Sequence, residues 1–158
     1  MSFRIGFGYD VHALTAGDSL RLGGVSIPHS KQTRGHSDAD VLVHAVCDAL
    51  LGAAALGDIG THFPDSDPAY RGINSLELLK KTTTLVQEKG YRIGNIDTTV
   101  CLQQPTVSPY IQQMREVLSQ TLGMETDRVS VKATTEEKLG FTGREEGIAA
   151  YAVVLLEV

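Results

Sequence analysis

The chain has 158 residues, of which 42% are hydrophobic, and its 14 Lys and Arg against 19 Asp and Glu give a net charge of -5 at pH 7. This length supports one domain with a sizeable core and is short for two. The acidic balance disfavours sequence-independent binding of nucleic acid, which requires a basic face. The only cysteines, Cys47 and Cys101, exclude a disulfide scaffold and a CxxC metal site, so a reducing compartment fits best.

The chain carries no pattern that predicts contact with a membrane. No stretch reaches the roughly 18 consecutive apolar residues that a membrane span requires. The polar, glycine-containing pattern begins by Arg4, which leaves no room for a signal or transit peptide. We therefore expect a soluble, cytoplasmic protein.

The first half of the chain predicts two strands and a long helix. FRIGFGYDV and LRLGGVSI are typical of short strands, separated by TAGD. Ser37 followed by Asp40 is an S-x-x-D capping pattern, which predicts a helix from Ser37 through LLGAAAL towards Gly57. The loop DIGTHFPDSDPAYRG follows this helix.

The second half predicts two more helices and three strands. Asn74 and Glu77 cap a helix that ends near Gly90, and YRIGNIDTTVCLQ follows as a strand. Ser108, followed by proline, opens a third helix that ends at Gly123. RVSVKAT and GIAAYAVVLLEV are typical of the last two strands.

The order β-β-α-α-β-α-β-β predicts an α/β fold of the α+β type. We expect residues 1–158 to form a single domain, with one mainly four-stranded mixed sheet and three helices packed on it.

A polar stripe interrupts the apolar helix. On a helical wheel, Asp40, His44 and Asp48 fall within about 80°, while the other positions are apolar and predict burial. Each buried polar group without a partner costs about 2–7 kcal/mol, so a ligand or a polar network must compensate. Alternatively, Asp40 caps the helix, Asp48 pairs with a distant Lys or Arg, and His44 is a hydrogen-bonded core histidine.

His36 and Ser37 are expected to serve a different purpose from His44. If the helix begins at Ser37, its rise separates the two histidines by roughly 12 Å, too far to share one metal ion. Free backbone amides at a helix start bind anions, so His36 and Ser37 form a candidate anion site. The alternative is that Ser37 is a plain N-cap.

Partners for His44 come from the segment YDVHA. In a strand, Asp10 and His12 point to the same face, about 7 Å apart at Cα. One carboxylate and two imidazoles leave the fourth tetrahedral position of a zinc ion open, as in reactive zinc sites. A strand-end hydrogen bond between Asp10 and His12 is the alternative.

A third group of polar residues lies in VKATTEEKLGFTGR. Lys132, Thr134 and Thr135 offer a cation, hydroxyls and backbone amides to phosphate, and Glu136 and Glu137 offer oxygen ligands suited to Mg²⁺. The alternative is a solvated turn whose charges offset one another.

Other motifs carry weaker signals. Asp58, Asp65 and Asp67 are also typical turn formers near prolines. Gly6 and Gly8 form G-x-G without the third glycine or the following helix, so we discount a dinucleotide fingerprint.

Three long stretches of the chain together resemble the 2-C-methyl-D-erythritol 2,4-cyclodiphosphate synthase family. They are RIGFGYDVHAL, GHSDADVLVHAVCDALLGAAALGDIGTHFPD and VKATTEEKLGFTGREEGIAA. The resemblance implies a lyase of the non-mevalonate isoprenoid pathway. Such an enzyme converts 4-diphosphocytidyl-2-C-methyl-D-erythritol 2-phosphate to the cyclodiphosphate and CMP. It also implies a homotrimer with its active sites between subunits, zinc at Asp10, His12 and His44, and magnesium or manganese at Glu137.

The resemblance also assigns roles to the remaining site residues. Catalysis falls to His36 and Thr135. Substrate contacts fall to Ser37, Asp58, Ile59, Gly60, Phe63, Asp65, Asp67, Leu102, Gln103, Pro105, Ser108, Thr134, Glu136, Phe141 and Arg144, and we add Lys132 from its own chemistry. By analogy with carboxylates behind metal-bound histidines, we expect Asp40 and Asp48 to orient the metal site. In the cytidine segment LQQPTVS, Thr106 stands where family members often carry lysine.

Two other functions use the same residues. A zinc-dependent phosphohydrolase of a nucleotide diphosphate would use Asp10, His12 and His44 to generate hydroxide, with Asp40 or Asp48 as base. A non-catalytic binding module would use the metal for structure or regulation. Linear hydrolysis products would identify the hydrolase, whereas a cyclic product with CMP would identify the synthase.

Overall fold

The computed structural model describes residues 2–158 as a five-stranded mixed sheet with the long helices on one face. The strands are β1 (Phe3–Ala16), β2 (Ser19–Leu22), β3 (Val25–Pro28), β4 (Lys31–Arg34), β5 (Arg92–Cys101), β6 (Val129–Thr134) and β7 (Gly147–Glu157). The helices are α1 (Val41–Ala53), α2 (Ile59–His62), α3 (Ser75–Glu88), α4 (Ile111–Leu122) and α5 (Gly140–Gly143). Single 3-10 turns cover Pro68–Tyr70, Ser108–Tyr110 and Thr126–Arg128.

The sheet has the order β4-β1-β7-β5-β6. Strands β5 and β6 run parallel, and all other neighbours in this sheet are antiparallel. The α+β class is confirmed, but the predicted four-stranded sheet is wrong by one strand. β4 has the sequence KQTR, which lacks the apolar alternation that identifies a strand, and it forms by pairing with the end of β1.

The predicted single strand LRLGGVSI is a separate hairpin of β2 and β3. Gly23 and Gly24 at its tip both have positive φ, 57° and 76°. A two-residue turn with both central residues in this region matches the twist of the strands it joins.

The helices confirm some predicted boundaries and correct others. Asn74 caps α3 as predicted, because its side chain accepts a hydrogen bond from Leu76 N at 3.0 Å. Helix α1 begins after Asp40 rather than at Ser37, since Ala39 has a φ of 57° that interrupts helical backbone. It ends at Ala53, before Gly57. The predicted cap Ser108 lies in a 3-10 turn, and α4 begins after it without a side-chain cap.

Helix α1 lies at the centre of the core, between the sheet and α3. Eleven of its 13 residues are buried, which confirms the prediction that it is surrounded on all sides. Cys47 and Cys101 are free and buried. Within residues 2–158, no helix has the length and apolar character needed to cross a bilayer.

Helix α1 approaches β1 closely because of two glycines. A Cβ atom on Gly6 would overlap the carbonyl oxygen of Ala49, and one on Gly8 would overlap that of Ala45. The helix backbone therefore lies directly on the strand. Two positions further along this face of β1, Asp10 contacts His44, the residue before Ala45 in α1.

The opposite face of β1 and β7 is apolar and exposed. Phe7 is 62% exposed, and its ring lies 6.3 Å from that of Tyr151 on the neighbouring strand. We call this surface the apolar sheet face; it comprises Phe3, Ile5, Phe7, Tyr9, Val11, Tyr151 and Val153.

We expect Gly8→Ala to destabilise the protein by about 1–3 kcal/mol, because the added methyl group must push α1 away from β1. Urea unfolding followed by circular dichroism at a fixed protein concentration measures this effect.

Gly52→Ala is the matched control. Its Cβ would meet only Phe7 O, at 3.9 Å, and alanine favours a helix over glycine by about 0.5–1 kcal/mol. Equal unfolding free energies for Gly8→Ala and the wild type would refute the close-packing explanation.

Candidate metal centre

A cavity of about 370 Å³ lies between the end of β1, the segment before α1 and residues 59–73. It gathers residues that are far apart in the chain. The predicted site residues that line it are Asp10, His12, His36, Ser37, His44, Ile59, Gly60, Phe63 and Asp65. Gly35, Pro64, Tyr70, Ile73 and Leu78 also line it.

Asp10, His12 and His44 converge in this cavity, as predicted. Asp10 Oδ2 lies 2.9 Å from His12 Nε2 and 3.1 Å from His44 Nδ1. The two ring nitrogens are 3.2 Å apart. β1 places the first two side chains on one face, and the close packing of α1 brings His44 to them.

The geometry of this group fits one divalent metal ion. Ligands bound to zinc at about 2.0–2.2 Å in a tetrahedral arrangement lie about 3.3 Å from one another. The observed separations of 2.9 to 3.2 Å are close to that value. His12 Nδ1 lies 3.1 Å from the carbonyl oxygen of Arg34 and can only donate to it, which leaves Nε2 with a free electron pair.

The electrostatics of the group favour binding of a cation. Burial raises the pKa of Asp10, but the close contacts of its carboxylate with His12 and His44, and the positive charge that these rings carry when protonated, outweigh burial and lower the pKa to about 2. Burial lowers the pKa of His12, yet the hydrogen bond to Asp10 and its charge raise that pKa above its usual value. The carboxylate is therefore ionised at neutral pH, and a metal ion competes with protons for the imidazoles.

Asp40 is a helix cap rather than a partner of the histidines. Its carboxylate is fully buried and accepts hydrogen bonds from the backbone amides of Gly23, Gly24 and Val43, at 2.9, 2.7 and 3.1 Å. Burial raises the pKa of Asp40. His44 N donates to Asp40 O at 3.1 Å at the start of α1, but the Asp40 carboxylate makes no hydrogen bond to the ring of His12 or His44 among those of residues 2–158, so its orienting role stays a prediction.

Asp48 supports the wall of the cavity. Its Oδ1 accepts a hydrogen bond from Ile59 N at 2.8 Å, which ties α1 to the start of α2. Burial raises the pKa of Asp48. The predicted alternative of a pairing with Lys or Arg is not among the ion pairs of residues 2–158.

Ser75 contacts His44, and Asp38 supports that contact. The sequence alone did not reveal either residue. Ser75 Oγ lies 2.8 Å from His44 Nε2 and donates a hydrogen bond to Asp38 Oδ1. Asp38 and Ser75 are separated by 37 positions in the chain. The only available signal was that Asp38 belongs to the polar run HSDAD.

Ser37 lies beside His44, and His36 lines the same cavity but is not part of the group of three metal ligands. Ser37 Oγ is 3.1 Å from His44 Nε2, because the helix begins only after Asp40. The two residues are therefore not at a helix N-terminus. Gly72 N donates to His36 O at 2.9 Å and fixes the segment, while His36 Nε2 is buried without a partner among residues 2–158.

Two of the predicted substrate-contact aspartates are turn formers. Asp58 accepts hydrogen bonds from the amide and hydroxyl of Thr61, both at 2.9 Å, and these bonds lower its pKa. Asp67 accepts one from Ala69 N at 2.9 Å. Neither side chain lines the cavity.

A second cavity of about 160 Å³ lies at the adjacent carboxyl ends of β5 and β6. It shares no lining residue with the first cavity. Its walls are formed by Leu102, Gln103, Pro105, Thr106, Val107, Ser108, Ala133, Thr134 and Thr135. The structure thus joins the predicted cytidine segment to the two predicted threonines.

Lys132 does not line this cavity. Its Nζ donates to Asp97 Oδ2 at 2.8 Å across the parallel strands, and this hydrogen bond lowers the pKa of Asp97. The predicted contribution of Lys132 to phosphate binding is therefore not supported by its position.

The segment after β6 carries the remaining predicted residues. Glu136 Oε2 accepts a hydrogen bond from Thr142 Oγ1 at 2.7 Å, while Glu137 is exposed. Arg144 pairs with Glu146 at 3.1 Å, and Phe141 is partly exposed. Within a single chain, the side chains of Glu136, Glu137, Phe141 and Arg144 line neither of the two cavities.

Comparison with known proteins finds relatives over almost the whole chain. A model of the YgbB family matches residues 3–157. The chain is 62% identical over 153 residues to the 2-C-methyl-D-erythritol 2,4-cyclodiphosphate synthase of Syntrophobacter fumaroxidans, across 97% of this chain and 96% of that protein.

Solved structures share the fold. The bifunctional IspDF of Campylobacter jejuni matches 98% of this chain with a TM-score of 0.94 and 44% identity, and the match spans 42% of that longer chain. IspF of Plasmodium falciparum, solved as a CDP complex, matches 98% of this chain and 95% of its own, with a TM-score of 0.86 and 37% identity.

We expect His12→Ala to lose stoichiometric zinc after dialysis, because only two of the three converging ligands remain. Atomic emission spectroscopy gives the zinc content per chain. His29→Ala is the control, since His29 lies outside the group of three ligands and should leave one zinc per chain. Full zinc content in His12→Ala would contradict the assignment.

Proposed function

The chain belongs to the YgbB family of 2-C-methyl-D-erythritol 2,4-cyclodiphosphate synthases, and from this we infer that it is a lyase of the non-mevalonate isoprenoid pathway. It converts 4-diphosphocytidyl-2-C-methyl-D-erythritol 2-phosphate to the 2,4-cyclodiphosphate and CMP. The observation that carries this function is the convergence of Asp10, His12 and His44 in a cavity of a chain 62% identical to such a synthase.

The reaction is an intramolecular substitution at phosphorus. An oxygen of the 2-phosphate forms a bond to the β-phosphorus of the diphosphate, and the bond from the β-phosphorus to the bridging oxygen breaks. CMP leaves with the electron pair of that bond. A phosphate monoester has a second pKa of about 6 and is largely ionised at pH 7, so the nucleophile needs no strong general base.

Positioning and charge are then the main demands on the protein. A linear substrate must fold back on itself, which is costly in entropy unless both ends are held. Ile59, Gly60, Phe63 and Asp65 are placed to enclose the methylerythritol portion, since they line the first cavity. The buried, unpartnered Nε2 of His36 is available to a phosphate oxygen there.

The cofactor assignments are part of this proposal. A divalent ion held by Asp10, His12 and His44, zinc in our assignment, supplies Lewis-acid polarisation and orientation of a phosphate oxygen when bound. We assign magnesium or manganese to Glu137, whose exposed carboxylate follows Thr135 in the segment that leaves the second cavity.

We propose that the second cavity binds the cytidine portion. The related structure from Plasmodium falciparum is a CDP complex. The cavity combines an apolar floor from Leu102 and Val107 with the hydroxyls of Thr134 and Thr135. Such a combination of apolar walls and a few polar groups suits a nucleotide base and ribose.

We further propose a homotrimer with its active sites between subunits. The apolar sheet face exposes seven large side chains on two neighbouring strands, more than an isolated domain usually leaves in contact with water. In this arrangement the first cavity of one copy and the second cavity of a neighbouring copy, which have no lining residue in common within one chain, together form one site. The two free, buried cysteines suit a cytoplasmic location.

The alternative of a zinc-dependent phosphohydrolase receives no support from these comparisons. The carboxylates that it would use as base are also committed elsewhere. Asp40 caps α1, and Asp48 accepts the hydrogen bond of Ile59 N.

Incubation of the purified protein with the cytidine diphosphate substrate, zinc and magnesium should yield the cyclic diphosphate and CMP, read by ³¹P NMR. Linear products that carry ¹⁸O from labelled water would instead identify a hydrolase.

In the same assay, Glu137→Gln should lower turnover while one zinc per chain is retained, and Glu116→Gln on α4 is the matched control. Loss of zinc from Glu137→Gln would contradict the division between the two metal sites.

Phe7→Glu should convert the trimer to monomers and lower activity per chain, because an unpaired charge would be buried in the apolar sheet face. Sedimentation velocity measures the assembly state. Gln113→Glu introduces the same charge on the exposed side of α4 and should leave the trimer intact. A wild type that sediments as a monomer, or a trimeric Phe7→Glu variant, would refute this arrangement.

A further inference from the structure

The side of His44 that faces away from Asp10 and His12 is held by two serine hydroxyls. Ser75 is fully buried at the start of α3, and its Oγ lies 2.8 Å from His44 Nε2. Ser37 Oγ lies 3.1 Å from the same nitrogen. The imidazole is thus fixed on its Nε2 side by two hydroxyls from separate segments.

The chemistry of these contacts determines which ring nitrogen carries the proton. A carboxylate only accepts hydrogen bonds, so the hydroxyl hydrogen of Ser75 goes to Asp38 Oδ1. The Ser75 oxygen then has only electron pairs to offer His44, so the 2.8 Å contact, the shorter of the two at this nitrogen, is a hydrogen bond when Nε2 carries the proton. His44 Nδ1 therefore keeps a free electron pair, directed towards Asp10 Oδ2 and His12 Nε2.

Asp38 is itself firmly held. Its Oδ2 accepts a hydrogen bond from Ser75 N at 2.9 Å, and its Oδ1 accepts one from Asp40 N at 3.2 Å. Its own amide donates to Ile73 O at 3.2 Å. Arg21 Nε lies 3.9 Å from Oδ2, so a cation flanks the carboxylate. The acceptor for the Ser75 hydroxyl is therefore fixed in position and has a cation beside it.

We propose that Asp38 and Ser75 are positioning residues that hold His44 with Nδ1 free and directed at Asp10 and His12, and that they thereby strengthen metal binding. The proposal rests on the proposed function, in which these three side chains bind a divalent ion. Carboxylates and hydroxyls behind a metal-bound histidine fix its orientation and its protonated nitrogen, and their loss typically weakens metal affinity about 10- to 100-fold.

Ser75→Ala should raise the dissociation constant for zinc about 10- to 100-fold, measured by competition with a chromophoric chelator. Ser119→Ala is the matched control, because Ser119 is also a buried helical serine whose Oγ is hydrogen-bonded, at 3.0 Å to Glu116 O. It should leave zinc affinity unchanged. The visible spectrum of the Co²⁺-loaded protein should change in Ser75→Ala and remain that of the wild type in Ser119→Ala.

Long-range ¹H–¹⁵N NMR of histidine-labelled, metal-free protein tests the same proposal without a variant. At a pH where the imidazoles are neutral, His44 should carry its proton on Nε2 in the wild type, and Ser75→Ala should give a mixture of both forms. A wild-type His44 protonated on Nδ1 would overturn the proposal.

Asp38→Asn provides a second variant if Ser75→Ala does not fold. An amide donor at this position can reverse the hydrogen bond, so that the Ser75 hydroxyl donates to His44 Nε2. Zinc binding should weaken, and wild-type affinity in this variant would count against the proposal. A wild type that binds no zinc at all would refute the metal site of the proposed function, whatever the state of His44.

Discussion

Contact between the backbones of α1 and β1 is the constraint on which the site depends. Any side chain larger than hydrogen at Gly6 or Gly8 would collide with carbonyl oxygens of the helix. Because the helix lies so close, residues on the facing side of α1 contact particular residues on the same face of the strand. Asp10, two positions after Gly8, therefore meets His44 rather than an apolar part of the helix. The close contact also buries α1 almost completely and makes it the centre of the core.

Burial of polar groups at this point is tolerated because each group has a defined partner. The outer nitrogen of His12 bonds to the carbonyl of Arg34, and that of His44 lies against Ser75. The other ring nitrogen of each histidine and the ionised carboxylate of Asp10 face one another within 3.2 Å. Such a cluster of electron pairs is stabilised by a proton or a cation between them, and the spacing suits a divalent metal ion. The packing that forms the core thus also brings together three residues that could hold a metal ion.

The two faces of the sheet have different roles. One side holds α1 and the metal ligands, and the other presents the apolar sheet face. The second cavity lies at the ends of β5 and β6, with walls separate from those of the first. A substrate with a sugar phosphate at one end and a nucleotide at the other needs both kinds of site. In the proposed trimer, association of copies through the apolar sheet face would supply both sites together and would link assembly to catalysis.

Local patterns in the sequence determined much of this molecule. Helix α1, the cap at Asn74 and the D-x-H segment all depend on residues a few positions apart, which share one face or one turn. The tertiary structure decided the rest. KQTR becomes β4 only by pairing with β1. Ser37 and Asp40 both suit an N-cap, and the choice depends on the backbone of Ala39 and the amides of the β2–β3 turn. The contact of Asp38 with Ser75 spans 37 positions, a separation that no local periodicity encodes.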